Sequence, residues 1–165
     1  YGQGLKYLGF GELIAFICFG PLLTYGFSRS AAHFHSFEVL VLGIGFGYLS
    51  SLILFAKQME NIAADSQLGI RSMAVRLGFD KAKKLFAFSL LFAPVVLLLT
   101  LFSSIKNNVS YFALLPFTYF SLKLFFNFKD INSSFSSGMD DLRLKMADLH
   151  VVYSTLIVFT LWLTK

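Results

Sequence analysis

The sequence predicts an all-α integral membrane protein, a helical bundle with five transmembrane helices, and three observations carry that expectation. Hydrophobic residues make up 56% of the chain and charged residues 14%, against about a quarter charged in an ordinary soluble domain, and mean hydropathy is +0.70. The apolar residues gather in separate runs, each close to the roughly 20 residues that a helix needs to cross a bilayer. None of these runs alternates strictly between apolar and polar, and each is longer than a barrel strand requires, so helices are expected rather than membrane strands.

The first run, Tyr7–Phe27, contains Pro21 and has Glu12 near its start. The second, Phe37–Ala56, is charged only at Glu38 and holds Gly43 and Gly47, a small-xxx-small pair that lets another helix approach closely. The third, Leu85–Ile105, carries no charge and contains Pro94. The fourth, Val109–Phe128, contains Pro116 and Lys123, and the fifth, Met146–Thr164, carries Asp148 and His150 near its start. Every proline thus falls inside a predicted span. In a soluble helix interior each costs about 3 kcal/mol, but packed membrane helices can re-satisfy the backbone groups that proline frees. Cys18, the single cysteine, lies mid-run and is expected to be a buried packing residue. No repeat or low-complexity linker divides the runs, so residues 1–165 are expected to form one transmembrane domain.

Orientation follows from the basic residues. Lys57, Arg71, Arg76, Lys81, Lys83 and Lys84 lie between the second and third runs, whereas the adjoining loops hold only Arg29 and Lys106. The positive-inside rule therefore puts the segment after the second run in the cytoplasm, with Lys6, Lys129, Arg143 and Lys145 on the same side. Topology accounts for most of the net charge of +5. A nucleic-acid partner is not expected, because these cations lie at a membrane surface with no interleaved aromatic motif.

The segment KQMENIAADSQLGIRSMAVRLG, residues 57–78, does more than flag orientation. If the second helix continues past Ala56, then Lys57, Asn61 and Asp65 fall at i, i+4 and i+8 and share one helical face. A carboxylate, an amide oxygen and a cation at the mouth of a membrane helix suit a metal-bound phosphate ligand, with oxygen ligands on Mg²⁺ and a cation on the remaining phosphate charge. On spacing alone, a solvated charged loop anchoring a helix end is the commoner explanation. Glu60 is one step off this face and is a substitute ligand at most.

Asn61-Ile-Ala-Ala-Asp65, followed by Leu68-Gly69-Ile70-Arg71-Ser72-Met73-Ala74-Val75-Arg76-Leu77-Gly78, resembles the second aspartate-rich motif of the UbiA superfamily of membrane prenyltransferases. Leu8-Gly9-Phe10-Gly11-Glu12-Leu13 with Phe19-Gly20-Pro21 is similar to the helix that opens the second half of the 1,4-dihydroxy-2-naphthoate branch, and Lys145-Met146-Ala147-Asp148-Leu149-His150 to the start of its last helix. The family crosses the membrane nine times and carries a first acidic motif of N-x-x-x-D type in its first half. Five spans without that motif make this chain resemble the C-terminal part, with the N-terminal half missing. Asn61 also stands where many members have aspartate, which leaves more of the metal ligation to Asp65.

The resemblance implies transfer of a polyprenyl group from prenyl diphosphate to an aromatic acceptor, 1,4-dihydroxy-2-naphthoate, in quinone biosynthesis at a cell membrane, with the site facing the cytoplasm. It assigns Mg²⁺ and the catalytic role to Asp65 and Asn61, and diphosphate binding to Arg71 and Lys57. Glu12 is a further substrate-binding candidate, near the aromatic acceptor, because a carboxylate at that depth is costly unless it faces a cavity or partner. Hydroxybenzoate and homogentisate remain open as acceptors, and a fragment lacking the first motif is expected to be inactive alone. The competing class is a non-enzymatic multi-pass membrane protein, a transporter segment or assembly subunit. It explains the spans and loop charges but not three family-like segments in order. Among other polar residues, His33 and His35 lack further ligands for a metal, and Asp140 and Asp141 are expected to cap the helix that follows them.

Overall fold

Proline chemistry shapes the first helix. The computed structural model describes residues 9–32, 37–104, 114–129, 131 and 141–163. Here α1 (Gly11–Ile17) passes through one wide turn, Cys18–Leu22, into α2 (Leu23–Ala32). Pro21 has no N–H to give the helix and disfavours helical geometry in the residue before it. Gly20 accordingly leaves the helical region, at φ −107° and ψ −112°, and the helix kinks there.

The kink is also the point of closest approach to α3 (Phe37–Glu60). A Cβ on Gly20 would lie 2.5 Å from the Gly43 carbonyl oxygen and 2.7 Å from the Gly47 Cα, so the two helices meet backbone to backbone. The expected Gly43/Gly47 pair is the receiving groove, and the kinked helix is what it receives. Thr24 on α2 adds an interhelical hydrogen bond to the Val39 carbonyl at 3.3 Å. Cys18 is exposed rather than buried: two residues from Gly20 is about 200° round a helix, on the side away from α3.

Two short helices, α4 (Ile62–Gln67) and α5 (Met73–Leu77), lead to α6 (Phe79–Ser104), followed by α7 (Leu114–Lys129) and α8 (Leu142–Leu163). All regular structure among the described residues is helical. Helix α6 starts before the apolar run because Gly78, at φ 74°, ends α5 and turns the chain, leaving Lys81 and Lys84 on its exposed first turns. Helix α3 sits centrally, packed against α1, α6 and α8. Leu52, Phe55, Ala56 and Met59 of α3 join Phe86, Leu90 and Leu97 of α6, Phe117 and Phe128 of α7, and Met146, Leu149 and Tyr153 of α8 in one buried cluster. Tyr153 lies where a side chain on Gly45 would be, edge-on to Phe46 at 5.0 Å between ring centroids.

Lipid is as apolar as leucine, so close packing and interhelical hydrogen bonds hold such helices together. Tyr48 donates to the Ser89 carbonyl across α3 and α6 at 2.8 Å. Pro94 cannot donate to the Leu90 carbonyl four residues back, and Ser121 of α7 donates to that oxygen instead, at 2.6 Å. The neighbouring helix thus repairs the ladder that proline breaks.

Among the described residues, three stretches reach the length and apolarity of a membrane crossing: Gly11–Ala31 at mean hydropathy 1.3, Phe37–Glu60 at 2.2 and Phe79–Phe102 at 2.6. These are the first three expected spans. Of the other two, α7 has 16 described residues, about 24 Å of helix, and the expected start at Val109 lies outside the described residues. Helix α8 covers the fifth expected run except Thr164, which also lies outside them, and is not one of the three stretches above. His33, His35 and Asp140 fall outside as well.

Candidate functional site

Helix α3 formally ends at Glu60, and Asn61 takes φ −102° and ψ 13°. The hydrogen-bond ladder nevertheless runs through the break: Asn61 N–H reaches the Lys57 carbonyl at 3.2 Å and Asp65 N–H the Asn61 carbonyl at 2.8 Å. Lys57, Asn61 and Asp65 therefore stay on one face and line one cleft of about 150 Å³ with Gly11, Leu54, Gln58 and Ser72. Asn61 Nδ2 donates to the Lys57 carbonyl at 2.9 Å. Only the amide nitrogen can donate to a carbonyl, so Oδ1 is the end turned away as an acceptor.

Ser72 was not singled out from the sequence, and a lone serine in a loop gives no pattern to find. It occupies the N-cap position of α5, where its hydroxyl would ordinarily bond the N–H two residues on. That N–H, on Ala74, is taken by Gln58 Oε1 from α3 at 3.3 Å. The Ser72 hydroxyl is left buried, without a hydrogen-bond partner, at the wall of the cleft.

Glu12 follows Gly11 in the first turn of α1. Both its carboxylate oxygens are buried and neither has a partner at full hydrogen-bond geometry; the Gln58 side chain and the Glu12 backbone N–H are the polar groups beside them. Arg71 is exposed and is not among the residues lining the cleft. Between Asp65 and Arg71 the chain reverses, with Ile70 N–H on the Asp65 carbonyl at 2.9 Å and Gly69 at φ 68°. Glu60 is engaged elsewhere: one oxygen accepts from the Arg143 backbone N–H at 2.8 Å, and the other lies 3.7 Å from Arg143 Nε. It ties the end of α3 to the first turn of α8.

Among the described residues no three His, Cys, Asp or Glu side chains come together as a metal cluster. With the Gln58 oxygen engaged by the Ala74 N–H, the other side-chain oxygens among the described residues of the cleft are the Asp65 carboxylate, the Asn61 amide oxygen and the unpartnered Ser72 hydroxyl. Such a set fits Mg²⁺, which usually takes one or two protein carboxylates and completes its shell with water and substrate phosphate.

A larger cavity of about 420 Å³ lies along the same face of α3, lined by Phe46 and Ser50 together with Phe19, Leu23, Thr24 and Phe27 of the first helix and His150 of α8. Phe46, Ser50, Leu54, Lys57 and Asn61 follow one another at intervals of three or four residues, which is one helical stripe. Polar cleft and apolar cavity are thus consecutive along α3.

Fold and site together define a helical membrane protein with an oxygen-lined cleft and an apolar cavity placed one after the other along α3. The chain belongs to the UbiA prenyltransferase family, whose profile matches residues 1–137. It is 33% identical over 94 residues to "UbiA prenyltransferase domain-containing protein 1" of Dictyostelium discoideum, covering 57% of this chain and 28% of that protein. It is 36% identical over 95 residues to the 1,4-dihydroxy-2-naphthoate octaprenyltransferase of Mycobacterium leprae, covering 58% and 32%. A third relative, the 2-carboxy-1,4-naphthoquinone phytyltransferase of Synechocystis, is 36% identical over 74 residues, covering 45% and 24%. These matches span about a third or less of each relative's length. No solved structure matches the chain significantly.

Proposed function

We propose that this chain forms part of an aromatic prenyltransferase that moves a polyprenyl group from its diphosphate to 1,4-dihydroxy-2-naphthoate. The observation that carries the reading is the stripe on α3, which joins a cleft holding Asp65, Asn61, Ser72 and Lys57 to an apolar chamber. A prenyl diphosphate has that same layout, an anionic head on an oily tail. Family membership supports the reaction type, and two of the three relatives above are named for naphthoate-type acceptors.

In the reaction the C–O bond to diphosphate breaks, with the electron pair leaving on oxygen. The acceptor ring carbon bonds to the prenyl carbon, and the displaced ring substituent departs without its electrons. Asp65, Asn61 and Ser72 would hold Mg²⁺, which would neutralise charge on the departing diphosphate. Lys57 places a further cation at the same cleft, Arg71 on the adjoining exposed segment meets the outer phosphate, and Glu12 lies towards the acceptor. Dry, aromatic walls keep water from the allylic cation and offer it π faces. The reading includes five spans, with α7 and α8 as the last two, and a cleft facing the cytoplasm.

Asp65→Asn in the full reading frame tests it. The substitution keeps size but removes the only carboxylate among the described residues lining the cleft, so turnover falls roughly 100-fold or more if Asp65 holds the metal. If Asp65 is a surface ion pair, the effect is at most about 1 kcal/mol of stability. Turnover against magnesium concentration at matched protein level separates the two, and near-normal turnover with unchanged magnesium dependence removes Asp65 from the site.

A further inference from the structure

His150 is a half-buried polar ring in an otherwise apolar cavity, where an ionisable side chain is costly and usually serves a site. The Ser154 hydroxyl donates to the His150 carbonyl at 2.8 Å and lies 3.4 Å from Nδ1. The tautomer with the proton on Nδ1 suits that contact and leaves Nε2 as acceptor, whereas the other tautomer would donate towards the Phe46 carbonyl. Ser50 on α3 lies 3.4 Å from Nε2, a long contact that a better donor displaces at little cost. Both Ser50 and His150 line the chamber, and the Phe46 ring stands 5.8 Å from the imidazole. Ser50 precedes Lys57 on the α3 stripe by seven residues, about 10 Å along the helix.

We propose that His150 is the positioning residue for the aromatic acceptor: Nε2 accepts a hydrogen bond from a ring hydroxyl, Ser50 offers its oxygen beside it, and Phe46 meets the ring. The chamber then has two tasks. Its apolar wall on the first helix receives the prenyl chain, and its polar corner on α3 and α8 orients a hydroxylated ring so that the reacting carbon points towards the cleft. The proposal rests on the function proposed above, and its test is chosen to separate the two.

The experiment uses the full reading frame in detergent, with 1,4-dihydroxy-2-naphthoate and its monomethyl ethers as paired probes. Equilibrium binding of each is measured without prenyl diphosphate, and turnover with it. In the wild type the diol binds roughly tenfold better than the ether of the hydroxyl that His150 receives. His150→Phe removes that preference and raises KM for the acceptor about tenfold, while KM for prenyl diphosphate stays within twofold. His150→Gln, whose amide oxygen restores an acceptor, recovers most of the preference, and Ser50→Ala weakens diol binding by a smaller factor. If His150→Phe fails to fold, the Gln and Ala variants still decide. An unchanged preference in every variant, or equal loss of both KM values, overturns the proposal. Histidine-dependent diol binding without turnover overturns the prenyl-transfer reading and leaves the acceptor seat standing; absence of both binding and turnover overturns both.

Discussion

Replacing Gly20 by alanine tests the seam on which the first helix is mounted. The added Cβ would sit 2.5 Å from the Gly43 carbonyl oxygen and 2.7 Å from the Gly47 Cα, where ordinary contact begins at 3.4 Å. Both obstacles are backbone, so no side chain can swing aside, and the helices must part by about 0.9 Å. A gap of that size forfeits a quarter to a half of each dispersion contact along the seam, which puts the cost at about 1–3 kcal/mol, the range of an overpacked core. Gly26→Ala is the internal control. That position, on the same helix, has nothing within 4 Å of the added carbon, and glycine to alanine in an open helical turn stabilises by about 0.5–1 kcal/mol. Unfolding of the full reading frame in mixed micelles, followed by circular dichroism, should therefore move the two variants in opposite directions. Equal shifts, or a neutral Gly20→Ala, would refute close backbone packing at the kink.

Other outcomes follow from single contacts. Ser72→Ala removes a buried hydroxyl that has no partner, so the ligand-free protein should gain about 1 kcal/mol while inorganic diphosphate with magnesium binds several-fold more weakly; a lower melting temperature would show a structural partner instead. Glu60→Gln weakens the tie to Arg143, a loss of at most about 1 kcal/mol, and leaves the magnesium dependence of turnover unchanged; a shifted half-saturation would make Glu60 a ligand. Cysteines placed at Ser66 and at Asn107 in a Cys18→Ser background should label from opposite sides of the membrane, and same-side labelling would contradict the proposed topology.

How much of this was legible in the sequence varies with the kind of contact. The face shared by Lys57, Asn61 and Asp65 was, because helical periodicity survives the break at Asn61 as long as its backbone hydrogen bonds persist. Arg71 was expected beside them, but Gly69 at positive φ redirects the chain before it, and no periodicity reports the direction after such a turn. Ser72 and Gln58 exchange capping roles through a contact 16 residues apart, which local pattern cannot show. Gly43 and Gly47 announced a close approach without naming the partner. The repair of Pro94 by Ser121 was foreseeable in kind but not in residue. Cys18 was misplaced because hydropathy does not distinguish lipid from protein as the apolar surroundings of a membrane helix.

The seam at Gly20 also divides labour along the first helix. Adhesion to α3 resides in main-chain atoms brought together at Gly20, Gly43 and Gly47, whereas the wall of the cavity is written in Phe19, Leu23 and Phe27, the first of them adjacent in sequence to the seam itself. Bulk can therefore be added to or taken from that wall while the mounting stays fixed. On the function proposed above, substitutions at these three positions would resize the cavity and with it the length of chain it could take.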